Sequence, residues 1–233
     1  MGEYDKIPPI VKECYFTPAS LNEKSQEICQ SLGQTQRRCL DRFDPHHSAL
    51  LVLDMQEYFL QPDSHAFIPS ASAIIPGLQT LVNVYNALSL PVIFTRHLNT
   101  PQDAGNMASW WHDLLTEEHP LNGIIPALDQ TNGVKLVKTQ YDAFHNTSLE
   151  DLLYSWQVAQ VVICGVMTHL CCETTARSAF VRGFEVFFTI DGTATYTEAH
   201  HRATLLNLAH GFAVPVLVEE IITAFQESSH ENA

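Results

Sequence analysis
The chain has 233 residues, 45% of them apolar, which is enough for one α/β domain with a substantial core. Its formal net charge of −14, from 12 Lys and Arg against 26 Asp and Glu, argues against nucleic acid or anionic lipid as a partner, because a phosphate-tracking surface needs clustered cations. No stretch approaches the ~20 apolar residues of a membrane span, and Met1-Gly2-Glu3-Tyr4-Asp5-Lys6 lacks the basic and apolar regions of a signal peptide, so a cytoplasmic protein with no membrane partner is expected.

The first 47 residues are polar and poor in strand signals. Ser20-Leu21-Asn22-Glu23 reads as a capping box opening a short helix through Leu32, and residues 41–47 lead into the first strand. This segment is an arm, packed on its own domain or reaching a neighbouring subunit; residues 48–233 form the domain proper. There, apolar blocks alternate with helical patterns. Strands are predicted at 49–54, 91–95, 134–138, 158–164, 185–190 and 213–218, and helices at 71–88, 148–156, 168–182 and 198–210. Thr147-Ser148-Leu149-Glu150 is a second capping box, with Thr147 and Glu150 satisfying each other's end of the helix, and Gly183 and Gly211 are the expected helix stops. The alternation predicts an α/β fold: a doubly wound, mainly parallel six-stranded sheet with helices on both faces, Rossmann-like.

Chemistry in such a sheet gathers outside the carboxyl ends of the strands. The first predicted strand finishes in Asp54-Met55-Gln56 and the third in Lys138; the fourth leads through Gly165 to His169-Leu170-Cys171-Cys172. With Thr168 as N-cap, Cys171 falls in the first turn of a helix, where backbone N–H groups and the helix dipole favour a thiolate. A space-filling buried thiol is the plain alternative for either cysteine. The six cysteines, Cys14, Cys29, Cys39, Cys164, Cys171 and Cys172, are sparse and irregular, so reduced thiols are expected. For substrate binding, Arg96 and His97 follow the second strand, and Arg96 is the preferred candidate because a guanidinium holds a carboxylate bidentately. Trp110-Trp111 and Phe144 can form an apolar wall, Gln56 can orient Asp54, and His169 can line the site.

Leu53-Asp54-Met55-Gln56-Glu57-Tyr58-Phe59, then Lys138-Thr139-Gln140-Tyr141-Asp142-Ala143-Phe144, then the stretch from Gly165 to Thr175, resemble the three signature regions of the isochorismatase-like hydrolases, in the right order. The resemblance covers residues 48 to about 218. It implies a triad of Asp54, Lys138 and Cys171, a non-proline cis peptide at Val166-Met167, and a homo-oligomer, dimer or tetramer. The oxyanion would sit against backbone N–H groups of the Met167 turn and of Cys171. The implied reaction is hydrolysis of an amide or ureido C–N bond of a small molecule through a thioester. Isochorismatases within this family hydrolyse a vinyl ether and release pyruvate; they share the long arm, His169 and Cys172, but carry Gly in place of Cys171. A scaffold that binds or regulates without turnover is the alternative of another class.

Nicotinamidases resemble the chain around the triad but hold a metal with an Asp and two closely spaced His. Here the comparable stretch is Thr95-Arg96-His97-Leu98-Asn99-Thr100-Pro101, with no second His at suitable spacing. His46-His47 and His200-His201 are adjacent pairs, which rarely ligate one ion together. No metal and no cofactor are therefore expected, and nicotinamide is not the expected substrate.

Overall fold
The computed structural model describes residues 11–33, 40–111 and 113–231. β1 (Ser48–Leu53), β2 (Val92–His97), β3 (Val134–Lys138), β4 (Gln160–Val166), β5 (Glu185–Ala194) and β6 (Val214–Val216) form one sheet in the order β3-β2-β1-β4-β5-β6. Every pairing is parallel. The two middle strands, SALLVL and QVVICGV, are buried along their whole length, because a parallel strand with helices on both faces has no wet side.

The helices are α1 (Leu21–Leu32), α2 (Glu57–Leu60), α3 (Ala71–Ala87), α4 (Met107–Trp110), α5 (Leu149–Ser155), α6 (Glu173–Val181), α7 (Glu198–Gly211) and α8 (Val218–Glu231). The chain winds outward from the middle twice, through β1-α3-β2 and through β4-α6-β5-α7-β6. Right-handed crossovers then put α3 on one face and α6 and α7 on the other. α8 packs beside α3 and α1 beside α7. The observed fold is the predicted doubly wound α/β sheet, and its strand order reverses between β1 and β4, where a crevice opens at the carboxyl edge.

Several local expectations give way to tertiary contacts. In the Thr147–Glu150 box, Thr147 Oγ1 accepts from Leu149 N–H, but Glu150 turns instead to Arg182, whose Nε donates to it at 2.9 Å. Ser20 likewise makes no side-chain cap; its hydroxyl is bonded to Thr17. The predicted sixth strand ends early, because Asp191 Oδ1 and Glu220 Oε2 accept from the backbone N–H groups of Val218 and Leu217 and start α8 there. β5 continues past residue 190: a register shift between Ile163 and Gly165 leaves residues 189–192 without register partners on β4 before pairing resumes at Thr193. Gly183, at φ +90°, follows α6 as expected, whereas Gly211 is itself the last residue of α7.

Tyr15, Phe16, Ile28 and Leu32 of the arm are buried in the common core. Residues 1–10 and 34–39, and with them Cys39, lie outside the described residues. Among the described residues, no helix is long and apolar enough to cross a membrane.

Candidate active site
The three residues of the expected triad come from strands that are not all neighbours. Lys138 ends β3, Asp54 follows β1, and β2 lies between them. Strands stand ~4.8 Å apart, so only a long side chain can cross the intervening one. The lysine does so, and its Nζ reaches Asp54 Oδ2 at 2.7 Å, with both side chains fully buried. The same ammonium donates to Gln140 O at 3.0 Å and to Cys171 Sγ at 3.2 Å.

Asp54 has φ +49°, a left-handed conformation that is uncommon for a non-glycine residue. Thr95 on β2 holds it there, accepting from Asp54 N–H at 3.0 Å and donating its hydroxyl proton to Oδ1 at 2.6 Å. Burial by itself would raise the Asp54 pKa, but the Lys138 charge, and then His97, hold it below the usual carboxylate range. Burial likewise disfavours the Lys138 cation, and Asp54 followed by Cys171 reverses this and raises its pKa above the ordinary value. The pair is therefore ionised at neutral pH.

His97 is the neighbour of Lys138 in the β2–β3 register and stands where the lysine crosses. Asn99 Nδ2 donates to Thr139 O at 2.8 Å, which turns Asn99 Oδ1 towards His97 Nε2, also at 2.8 Å. His97 thus carries its proton on Nε2 and presents a bare Nδ1 to the ammonium, 3.4 Å away. Burial and then the Lys138 charge bring its pKa down to about 4, so the imidazole is neutral.

The peptide between Val166 and Met167 is cis. A π-helical turn, Thr168–Cys172, then leads into α6. Thr168 is not its N-cap: Met167 occupies that place, and the Thr168 hydroxyl is bonded to His201 instead. Cys171 and Cys172 point apart, as successive helical residues must. Cys171 lines the cavity, while Cys172 is fully buried in the core. The expected thiolate does not follow. Burial and the Asp54 charge outweigh Lys138 and push the Cys171 thiol up to about 12. At rest the thiol keeps its proton, and Asp54 is the charged partner that can take it.

A cavity open to solvent lies against Cys171. Tyr58, Phe59, Trp111, Leu115, Tyr141, Met167, Leu170 and Tyr196 make its walls, with His65, His97, Asn99 and Asp113 as polar members. Two hydrogen bonds close one side: Trp111 Nε1 donates to Tyr141 Oη at 2.6 Å and Tyr58 Oη to Asp113 Oδ2 at 2.9 Å.

Of the substrate-binding candidates, Trp111 lines the cavity and Arg96 does not. Successive strand residues face opposite ways, so His97 turns in and Arg96 turns out, where it binds Asn122 Oδ1 at 2.5 Å and Glu117 at 3.3 Å. Gln56 is a staple rather than a wall: its Oε1 accepts from His97 N–H, and its Nε2 donates to His97 O and Asn122 O. Phe144 is buried against Phe184. His169 is bonded to Thr195 Oγ1 and stacked on His200 at 4.4 Å, outside the cavity walls.

Asp54, His97 and Cys171 bring a carboxylate oxygen, an imidazole nitrogen and a sulfur within 4.8 Å of one another, a donor set that a metal ion could use. The residues do not fit one. The Lys138 ammonium already stands in contact with all three, and a second cation there would face its charge at close range.

This fold, with a cysteine, a carboxylate and a lysine converging at its topological switch point, defines a class of hydrolase. The model of the isochorismatase domain family matches residues 48–220, and the chain belongs to that family of hydrolases. Nicotinamidase 3 of Arabidopsis thaliana is 41% identical over 171 residues, covering 71% of this chain and 82% of that protein. Enterobactin synthase component B of Escherichia coli (strain K12) is 29% identical over 188 residues, and the match spans 65% of its length. Among solved structures, a cysteine hydrolase from Pseudomonas syringae pv. phaseolicola 1448A superposes with a TM-score of 0.76 at 28% identity, covering 80% of this chain and 95% of that one.

Proposed function
We propose that the protein is a cysteine hydrolase that cleaves the C–N bond of a small, neutral, aromatic primary amide through a thioester on Cys171. The observation that carries this reading is the buried Lys138 ammonium, in contact with both the Asp54 carboxylate and Cys171 Sγ at the floor of an aromatic cavity.

In the first half-reaction Asp54 takes the thiol proton as Sγ attacks the amide carbon, and the oxyanion forms against the backbone N–H groups of Met167 and Cys171. A donor in such a position is worth ~3 kcal/mol of transition-state stabilisation. Lys138 stays protonated, and its charge offsets the negative charge that passes between Asp54 and the sulfur. The C–N bond then breaks, and ammonia departs with the proton that Asp54 had taken. In the second half-reaction Asp54 deprotonates a water that attacks the thioester; the acid leaves and the proton returns to Sγ.

The walls narrow the substrate. Apart from the paired Lys138 beneath it, the cavity presents mainly aromatic and aliphatic surface with a few polar groups, Asp113 among them, which suits a neutral ring better than a carboxylate. The relative named nicotinamidase 3 makes nicotinamide the first compound to try, against the expectation from the metal-binding residues alone.

The test is a hydrolysis screen over nicotinamide, benzamide, a ureido acid and isochorismate, with Cys171→Ala as control. Ammonia release from an aromatic amide is expected, falling by at least about 10⁴-fold in the variant. Retained amide turnover by Cys171→Ala, or pyruvate from isochorismate with no amide turnover, would overturn the reading.

A further inference from the structure
The arm segment 12–16 contacts two residues that line the cavity, and His201. Glu13 N–H donates to Tyr196 O at 2.7 Å, and Lys12 Nζ donates to His65 O at 2.6 Å while lying over the Tyr196 ring at 4.7 Å. Both Tyr196 and His65 line the cavity. Next along the chain, Ser70 Oγ accepts from the N–H groups of Tyr15 and Phe16 at 2.9 and 3.1 Å, which seats these two buried rings against His201.

The Tyr15 hydroxyl accepts from Thr195 N–H at 3.0 Å and lies 3.2 Å from His201 Nδ1. The Thr168 side chain is a further hydrogen-bond partner of the same phenol. The Thr168 hydroxyl meets the same Nδ1 at 3.1 Å. Burial brings the His201 pKa down to about 3, so this arrangement does not titrate near neutral pH. Thr168 is the first residue of the turn that carries Cys171. One neutral imidazole thus ties a tyrosine of the arm to the backbone that aims the nucleophile.

We infer that Tyr15 is a positioning residue for Cys171: through His201 it holds the Thr168 hydroxyl, and with it the nucleophile turn, so that the arm completes the active site. The inference rests on Cys171 being the nucleophile. A misplacement on the order of 1 Å at a reacting atom costs up to about 10²-fold in rate, so loss of one hydroxyl in this chain should be visible in turnover without unfolding the protein.

The experiment compares Tyr15→Phe, Thr168→Val, Thr168→Ser and the Tyr15→Phe/Thr168→Val double variant in the full chain. Two readouts are taken: kcat and KM on nicotinamide, and the rate of Cys171 alkylation by iodoacetamide, resolved by peptide mass spectrometry. Tyr15→Phe and Thr168→Val should each lower kcat and the alkylation rate by about tenfold with KM nearly unchanged. The double variant should be little worse than either single one, since both act through one imidazole, and Thr168→Ser, which keeps the hydroxyl, should recover most of the loss. Wild-type alkylation and turnover in Tyr15→Phe, losses that multiply in the double variant, or Thr168→Ser as impaired as Thr168→Val would each overturn the inference. If Tyr15→Phe does not fold, Thr168→Val and Thr168→Ser decide the matter with the arm intact. If the wild type turns over no amide, the proposed function falls, while the alkylation rates still report on the positioning of Cys171.

Discussion

Lys138 has three protons and four acceptors, Asp54 Oδ2, Gln140 O, Cys171 Sγ and His97 Nδ1, at 2.7 to 3.4 Å. A fully buried ion pair of this kind contributes little net stability as a pair, but removing one member strands the other charge away from water. Lys138→Met should therefore lower stability by about 3–5 kcal/mol, read as a fall in the urea midpoint. Adding Asp54→Asn should return most of that loss while the protein stays inactive; a double variant no more stable than Lys138→Met would show that the stranded carboxylate is not the cause. Asp54, Lys138 and Cys171 are legible in the sequence because each ends an apolar block or begins the turn after one. The choice of His97 over Arg96 is not, because it needs the strand's facing, and the role of His97 also needs the knowledge that β2 lies between β1 and β3.

At the scale of elements, the close approach of the parallel neighbours β1 and β4 positions Asp54 beside the turn that carries Cys171. Gly165 pairs with Leu53 at φ +110°, and a Cβ placed on it would lie 2.1 Å from Leu53 O and 2.7 Å from Leu53 N. No side chain fits there, and the obstructing atoms are backbone that cannot yield. Gly165→Ala should cost more than about 4 kcal/mol, among the largest effects of single substitutions. Loss of soluble protein, or a urea midpoint far below that of the wild type, is the expected outcome; an unchanged midpoint would mean that the two strands can separate. Sequence signals for element ends proved weaker than those for element existence. Glu150 and Ser20 stand where a capping box needs them, yet Arg182 and Thr17 outcompete the helix ends for their side chains.

For the whole molecule, three imidazoles among the described residues, His201 buried and His97 and His169 half-buried, oppose acid. Burial first, and then a neighbouring cation or imidazole, lowers the pKa of His97 to about 4 and of His169 to about 4. Burial lowers His201 to about 3. Each has an ordinary value of 6.5 once unfolded. Between these limits the unfolded chain binds protons that the folded one refuses, so stability falls as pH drops below 6.5. Asp191, raised to about 6 by burial, works the other way and offsets about one of the three protons. Calorimetry from pH 7 to pH 4 should therefore show a falling Tm with a net uptake of roughly two protons on unfolding. A flat Tm over that range would contradict the burial of these histidines.

The chain's own pattern determined the class of fold and put Asp54, Lys138 and Cys171 at or after strand ends, because apolar periodicity and the residues that end each block are local properties. Tertiary structure decided what depends on groups distant in sequence. The strand order sends Lys138 across β2, and the burial of Cys171, with the Asp54 charge beside it, raises the thiol's pKa. The same long-range packing brings Tyr15, 186 residues away along the chain, to His201 beneath the nucleophile turn. Dielectric environment and side-chain convergence are set by the whole packed molecule, and no window of sequence contains them.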